Sequence, residues 1–341
     1  MKTKYLFLLL LLHAISCKKD SETTPANSFL ANPGGLYISN EGVFQSGNAS
    51  ISFFNPAEHS VVNNVFQSTN SESLGDICQS MALINNSLYL VVNNSGKIEV
   101  CNPFTMKRKA QITGLTSPRY ILAVDSTKAY VSDLYSNSLT IINTINNSIQ
   151  GSIPLTGSSE QMVLFNNKVY VTNLLSDYIY VINSTNDLVE DSLLISKGAN
   201  SIQKDKNNKI WVTCGGDYVN VQGAIYRIDP SSKNIEFSSL FTITDYPAKV
   251  CLNAAKDTVY FLNDGVRRMN ITDNTYPATP FIVSSGNTYY GLAVDSVRNE
   301  IYVSDAINFS QAGKVFRYST SGNLIDNFNV GISPGDFLFL R

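Results

Sequence analysis

The chain has 341 residues, with 25 Lys and Arg set against 27 Asp and Glu, a formal net charge of −2, and two histidines. No basic cluster exists that could neutralise a phosphate backbone, so nucleic acid is excluded as a partner. The shortage of imidazole argues equally against histidine-based metal sites and Ser-His-Asp hydrolysis.

Residues 1–16 begin Met-Lys-Thr-Lys, run without charge from Tyr5 to Leu12, and end Ala14-Ile15-Ser16 ahead of Cys17. A basic start, a short apolar centre and small residues before a cut describe an export signal. The apolar run is well short of the roughly 20 residues that span a bilayer. The pattern resembles a bacterial lipoprotein signal, cleaved before Cys17 and lipidated on that sulfur. Lys18-Lys19-Asp20-Ser21-Glu22 resembles the export tag of Bacteroidota surface lipoproteins. A plain solvated tether is the other reading, and residues 17–33 are a lipidated tether in either case. The expected location is the outer membrane, lipid-anchored and facing outward.

Residues 34–341 carry a repeat. Seven segments set an aromatic among aliphatics after a polar turn, centred on Tyr37, Tyr89, Tyr130, Tyr170, Trp211, Tyr260 and Tyr302, at intervals of 52, 41, 40, 41, 49 and 42 residues. A period of this length made of short strands predicts an all-β, seven-bladed β-propeller. Each interval resolves into four strands, A to D, joined by Asn- and Asp-rich turns, as in residues 117–125, 128–133, 138–143 and 148–155. No helical periodicity stands out beyond the signal. The first blade supplies B ("LYISN"), C ("ASISFFN") and D ("VVNNVF") without an A strand, while "SPGDFLFL" is a surplus A strand at the C-terminus. Pairing the two closes the ring and removes the unpaired edges.

Cys78, Cys101, Cys214 and Cys251 lie in or beside apolar strands with no CxxC spacing, which favours buried thiols, with disulfides as the alternative. His59 falls in a turn between strands C and D of the first blade and reads as a solvent-exposed residue. Asp125 and Asp295 end A strands and read as turn formers rather than a catalytic pair. Neither a calcium loop nor a phosphate-cradling glycine motif is present.

Loops joining B to C, and D to the next A, emerge on one face of a propeller around its axis, where a ligand meets several blades at once. Here the B–C loops offer Asn40, Glu41, Phe44, Gln45, Tyr135, Asp217, Tyr218, Asn308 and Phe309. The D–A connections offer Gln79, Arg119, Tyr120, Glu160, Gln161, Tyr246, Tyr289, Tyr290 and Asp336. Flat rings beside amide and guanidinium groups suit a broad amphipathic ligand, although any one of them can serve packing instead.

The stretches "LYISNEGVFQSGNASISFFNP", "TSPRYI", "SEQMV", "YYGLAV" and "IYVSDAINFSQAGKVFRYSTSGNLIDNFNVGISPG" resemble the BtuG-like surface lipoproteins of Bacteroidota, within the broader YncE-like, YVTN-repeat propellers. The likeness spans nearly all of residues 34–340. It implies a non-catalytic seven-bladed propeller that captures vitamin B12 or another corrinoid and passes it to a TonB-dependent outer-membrane transporter. Cobalamin is then cargo, with no cofactor and no metal held by the protein. Arg119, Tyr120, Gln161 and Tyr290 lie within the matching motifs. Two other classes stay open: a protein- or glycan-interaction propeller, and a lyase or quinone-dependent enzyme, against which the histidine shortage counts.

Overall fold

The structure is a computed structural model that describes residues 29–341. The expected export signal, Cys17 and the expected tether as far as residue 28 lie outside the described residues. Seven antiparallel sheets stand around one axis as a β-propeller.

The C-terminal strand Pro334–Phe339 is the innermost strand of the first sheet, whose order continues through Leu36–Asn40, Ser50–Asn55 and Ser60–Val62. Leu36 pairs with Phe339 and Ser39 with Asp336, so the ends of the chain close the ring as the repeat predicts. Phe29 and Ala31, counted with the tether from sequence, belong to this unit. The Phe29 ring packs on Tyr37 and Phe53, and the Ala31 N–H donates to Phe104 O at 2.6 Å.

Two blades depart from the expected pattern. In the first, strand D stops at Val62 and the chain turns into a short helix, Val65–Asn70, because Val65 and Phe66 gain complete burial between blades one and two. In the sixth, the sheet has three strands, Ala248–Leu252, Thr258–Leu262 and Val266–Asn270. The following segment carries Pro277 and Pro280, which have no N–H to give a ladder. Its one ladder contact with the sheet, among the described residues, is the bridge Val266↔Ile282, and buried Arg267 ties it down by donating to the carbonyls of Pro277 and Ala278 at 3.1 and 2.7 Å.

The core is divided into seven apolar clusters, each formed by two neighbouring blades. The repeated B-strand aromatics, all but sealed from water, explain the period. Tyr37 donates to Pro103 O at 2.7 Å, Tyr89 to Asn147 Oδ1 at 2.7 Å and Tyr170 to Pro230 O at 3.0 Å; Tyr130 bonds the Asp187 carboxylate. In all four cases the partner sits in the C–D turn of the next blade. In these four blades the repeated aromatic is thus a blade-to-blade fastener, placed on the face opposite the B–C loops, whereas Trp211 and Tyr302 donate within their own blades, to Asp205 Oδ2 at 2.9 Å and Glu300 Oε2 at 3.3 Å. Cys78, Cys101 and Cys214 are buried free thiols and Cys251 is a half-buried one; burial pushes the Cys101 thiol up to about 12. His59 is exposed on the outer edge, its Nδ1 2.7 Å from Asp326 Oδ2.

Candidate functional site

Six of the seven A strands slip register near their start, where residues project toward the axis. The extra residue is Gln79 in blade two, Asn200 in blade five and Gly335 in blade one; Arg119-Tyr120, Lys249-Val250 and Tyr290-Gly291 each oppose a single partner residue. In blade four, Glu160 and Gln161 together bracket Thr172. A bulge bends a strand and re-aims its side chains, so seven copies of it assemble a ring of functional groups from one repeated backbone feature. Lys249 itself has left-handed backbone, φ 56°.

These groups line an axial cavity of about 230 Å³, bounded by Gln79, Arg119, Tyr120, Glu160, Lys249 and Tyr290 among others. Its floor is a charge network. Arg119 Nε donates to Glu160 Oε1 at 2.7 Å, and its Nη1 to Gln79 Oε1. Tyr290 Oη lies 2.9 Å from each Glu41 carboxylate oxygen. Lys249 Nζ donates to Gly335 O at 3.0 Å and stands 5.5 Å from the Tyr290 ring centre. Asp336 Oδ2 accepts the Met81 N–H at 2.9 Å. A Cβ at Gly335 would approach Glu41 Oε1 to 2.6 Å, so a larger residue there would displace the Glu41 carboxyl.

Burial pushes the Glu41, Glu160 and Asp336 carboxyls above the usual carboxylate range, against the pull of Lys249 on Glu41 and Asp336 and of Arg119 on Glu160. Burial works to lower Lys249, but Tyr120, Glu41 and Asp336 outweigh it and the ammonium is held. Three carboxyls and two cations at close quarters recognise groups that both donate and accept, such as amides, rather than a bare ion of either sign.

Around this polar floor stands an apolar crown. Phe44, Tyr135, Leu175, Tyr218, Val219, Ile307 and Phe309 all lie on B–C loops and are exposed, Tyr135 to 70% and Phe44 to 62%. The loops present them by one local device. A polar residue at or near the loop start accepts the N–H two positions on: Asp133 from Tyr135 at 2.9 Å, Asn173 from Leu175 at 2.9 Å, Asp217 from Val219 at 3.0 Å, Asp305 from Ile307 at 2.8 Å. With three such N–H groups on it, the Asp217 carboxyl falls to about 2. Tyr218, Ile307 and Phe309 have φ between 56° and 61°, left-handed backbone that is costly for a β-branched or aromatic residue. Crown and floor join at two places: Tyr246, a cavity wall, stacks on Tyr218 at 5.5 Å and 7°, and Tyr290 meets Phe309 edge-on at 5.2 Å.

The profile of a family described as a domain of unknown function, DUF5074, matches residues 34–333. The chain belongs to the DUF5074 family. No curated protein matches it. Among solved structures, this DUF5074 chain is similar to a quinonprotein alcohol dehydrogenase-like protein from Bacteroides thetaiotaomicron VPI-5482, with TM-score 0.70 and 14% identity over 90% of this chain and 78% of the other. A protein from Lactobacillus plantarum gives 0.69 and 14% over 91% and 100%. Kuenenia stuttgartiensis hydrazine synthase gives 0.60 and 12% over 75% and 87%. At these identities the likeness is one of fold alone.

Of the residues singled out from sequence, Glu41, Arg119, Tyr120, Tyr246, Tyr289, Tyr290 and Asp336 converge on the axis of the DUF5074 propeller. Phe44, Gln45, Tyr135, Tyr218 and Phe309 stand on the crown loops. Two are turned to structural use. Asn40 is sealed inside blade one, its Nδ2 donating to Ser52 Oγ at 2.9 Å, and Gln161 Oε1 accepts from Ser201 Oγ and the Ile202 N–H of blade five at 3.0 and 3.1 Å. Lys249 is the main addition. Its signal was register: Ala248-Lys249 occupies the place of Pro118-Arg119 in blade three.

Proposed function

We propose that this DUF5074 propeller is a non-catalytic surface lipoprotein that binds a broad, ring-shaped amphipathic ligand, a corrinoid such as vitamin B12, and hands it to a TonB-dependent outer-membrane transporter. The observation that carries the reading is the pairing of an apolar crown with an amide-competent charged floor on a single face. A flat macrocycle covers the crown with its ring while its edge amides reach donors and acceptors below. Lipid on Cys17 would keep that face near the transporter.

Titration of the detergent-solubilised full chain with cyanocobalamin tests this, with saturable binding at or below micromolar concentration as the expected result. Absence of binding at that level removes the corrinoid reading. Recovery of a transporter from solubilised membranes only when B12 is supplied would distinguish cargo delivery from a plain protein- or glycan-docking role of the same crown.

A further inference from the structure

The crown has two gaps, at blades two and six, whose short B–C loops carry none of its residues. Blade six joins its B and C strands with three residues, Asn263 to Gly265, where blades one and five each use nine, 41–49 and 215–223. Below the blade-six gap lies a bay of about 150 Å³ that shares Tyr246, Leu262 and Tyr289 with the axial cavity. The bay is lined by Asn263, which is 4% exposed and whose Nδ2 has no hydrogen-bond partner. Elsewhere the asparagine at the end of strand B spends that donor: Asn93 on Ser117 Oγ at 2.8 Å, and Asn173, just beyond its strand, on Thr156 O at 2.9 Å. An orphaned buried donor beside an open bay is a group waiting for an acceptor.

We infer that the blade-six bay is a second subsite, which receives a hydrogen-bond-accepting arm carried on one edge of the ring ligand, and that Asn263 Nδ2 donates to it. The inference rests on the corrinoid reading, in which the arm is the nucleotide loop. Exposed Asp264 at the mouth disfavours a bare anion, so the sugar or base of the arm enters the bay and its phosphate stays in water.

The test compares cyanocobalamin with dicyanocobinamide, which has the ring but lacks the nucleotide, on the full chain and on Asn263→Ala and Asn263→Leu variants. The expected result is tighter binding of cyanocobalamin by wild type, and a loss of roughly two- to tenfold for cyanocobalamin alone in both variants. Melting temperature should hold or rise in Asn263→Leu, because the change removes an unpaired donor, which separates a lost ligand contact from misfolding. Equal affinity of wild type for the two corrinoids, or equal loss for both in the variants, overturns the subsite while leaving the corrinoid reading intact. Binding of neither compound removes that reading and the subsite with it.

Discussion

Replacing Arg119 with Met leaves the Glu160 carboxylate, 2% exposed, without the guanidinium 2.7 Å away, and leaves Gln79 without its donor. Breaking a buried ion pair from one side costs about 3–5 kcal/mol, because the stranded charge keeps its desolvation penalty. The sign of the pH dependence follows from Glu160, whose folded pKa is already above its ordinary value through burial and rises further once the opposing cation is gone. Its protonated form is favoured in the folded state, so the stability linked to it is fully present below the unfolded value of about 4.3 and is lost as pH rises through the folded pKa. The Arg119→Met deficit is therefore largest near pH 7.5 and shrinks toward pH 5. Urea denaturation at both pH values measures it, and Arg119→Met/Glu160→Gln should recover most of the loss at pH 7.5. A deficit that is the same at both pH values, or no recovery in the double variant, refutes the assignment of a stranded carboxylate.

Deleting residues 333–341 removes Phe337, Leu338, Phe339 and Leu340 from the interface with blade one. Leu340 is fully buried and the other three are half-buried, so at about 1.5–3 kcal/mol for complete burial these side chains, together with the lost strand ladder, account for much of the stability of a typical domain. The truncated chain should show no cooperative thermal transition by circular dichroism. Gly215→Ala places a Cβ 2.1 Å from the Tyr246 ring, so Tyr246 leaves its stack on Tyr218. Ligand affinity should fall by tenfold or more, about the 0.5–1.5 kcal/mol of an aromatic pair plus lost cavity wall, with a smaller change in melting temperature. Tyr290→Phe removes the hydroxyl from both Glu41 oxygens and should cost about 1–3 kcal/mol in urea denaturation at neutral pH. Cys78, Cys101 and Cys214 should resist an aromatic disulfide reagent in the native protein and react with it in denaturant.

The ring was legible from the recurrence of its B-strand aromatics, because each packs at the same kind of blade-to-blade interface. Closure was legible from arithmetic, one strand missing at the start and one in surplus at the end. The two irregular blades were not read, although blade six announces itself through Pro277 and Pro280. The helix at Val65 is set by burial against a neighbouring blade, which local pattern does not reveal. At the site, aromatic loop residues were easy to pick out because nothing in a core requires Tyr135 or Phe44 to be exposed. Lys249 was hidden in "YPAKV", a stretch ordinary in composition, and acquires its meaning from a bulge that only strand register exposes. Asn40 and Gln161 show the converse, since polar residues on strand ends satisfy the backbone of their own or a neighbouring blade as readily as a ligand.

The bond between Leu36 and Phe339 joins positions some three hundred apart in the chain. Such a contact has to be closed against the entropy of almost the whole propeller, and its two halves are the first and the last strands of the propeller in chain order. The opening blade therefore waits, with one edge bare, until the last strand of the propeller has been made, and no shorter intermediate has the ring available to it. A propeller built this way leaves that edge open to a chaperone for the entire time it is being made.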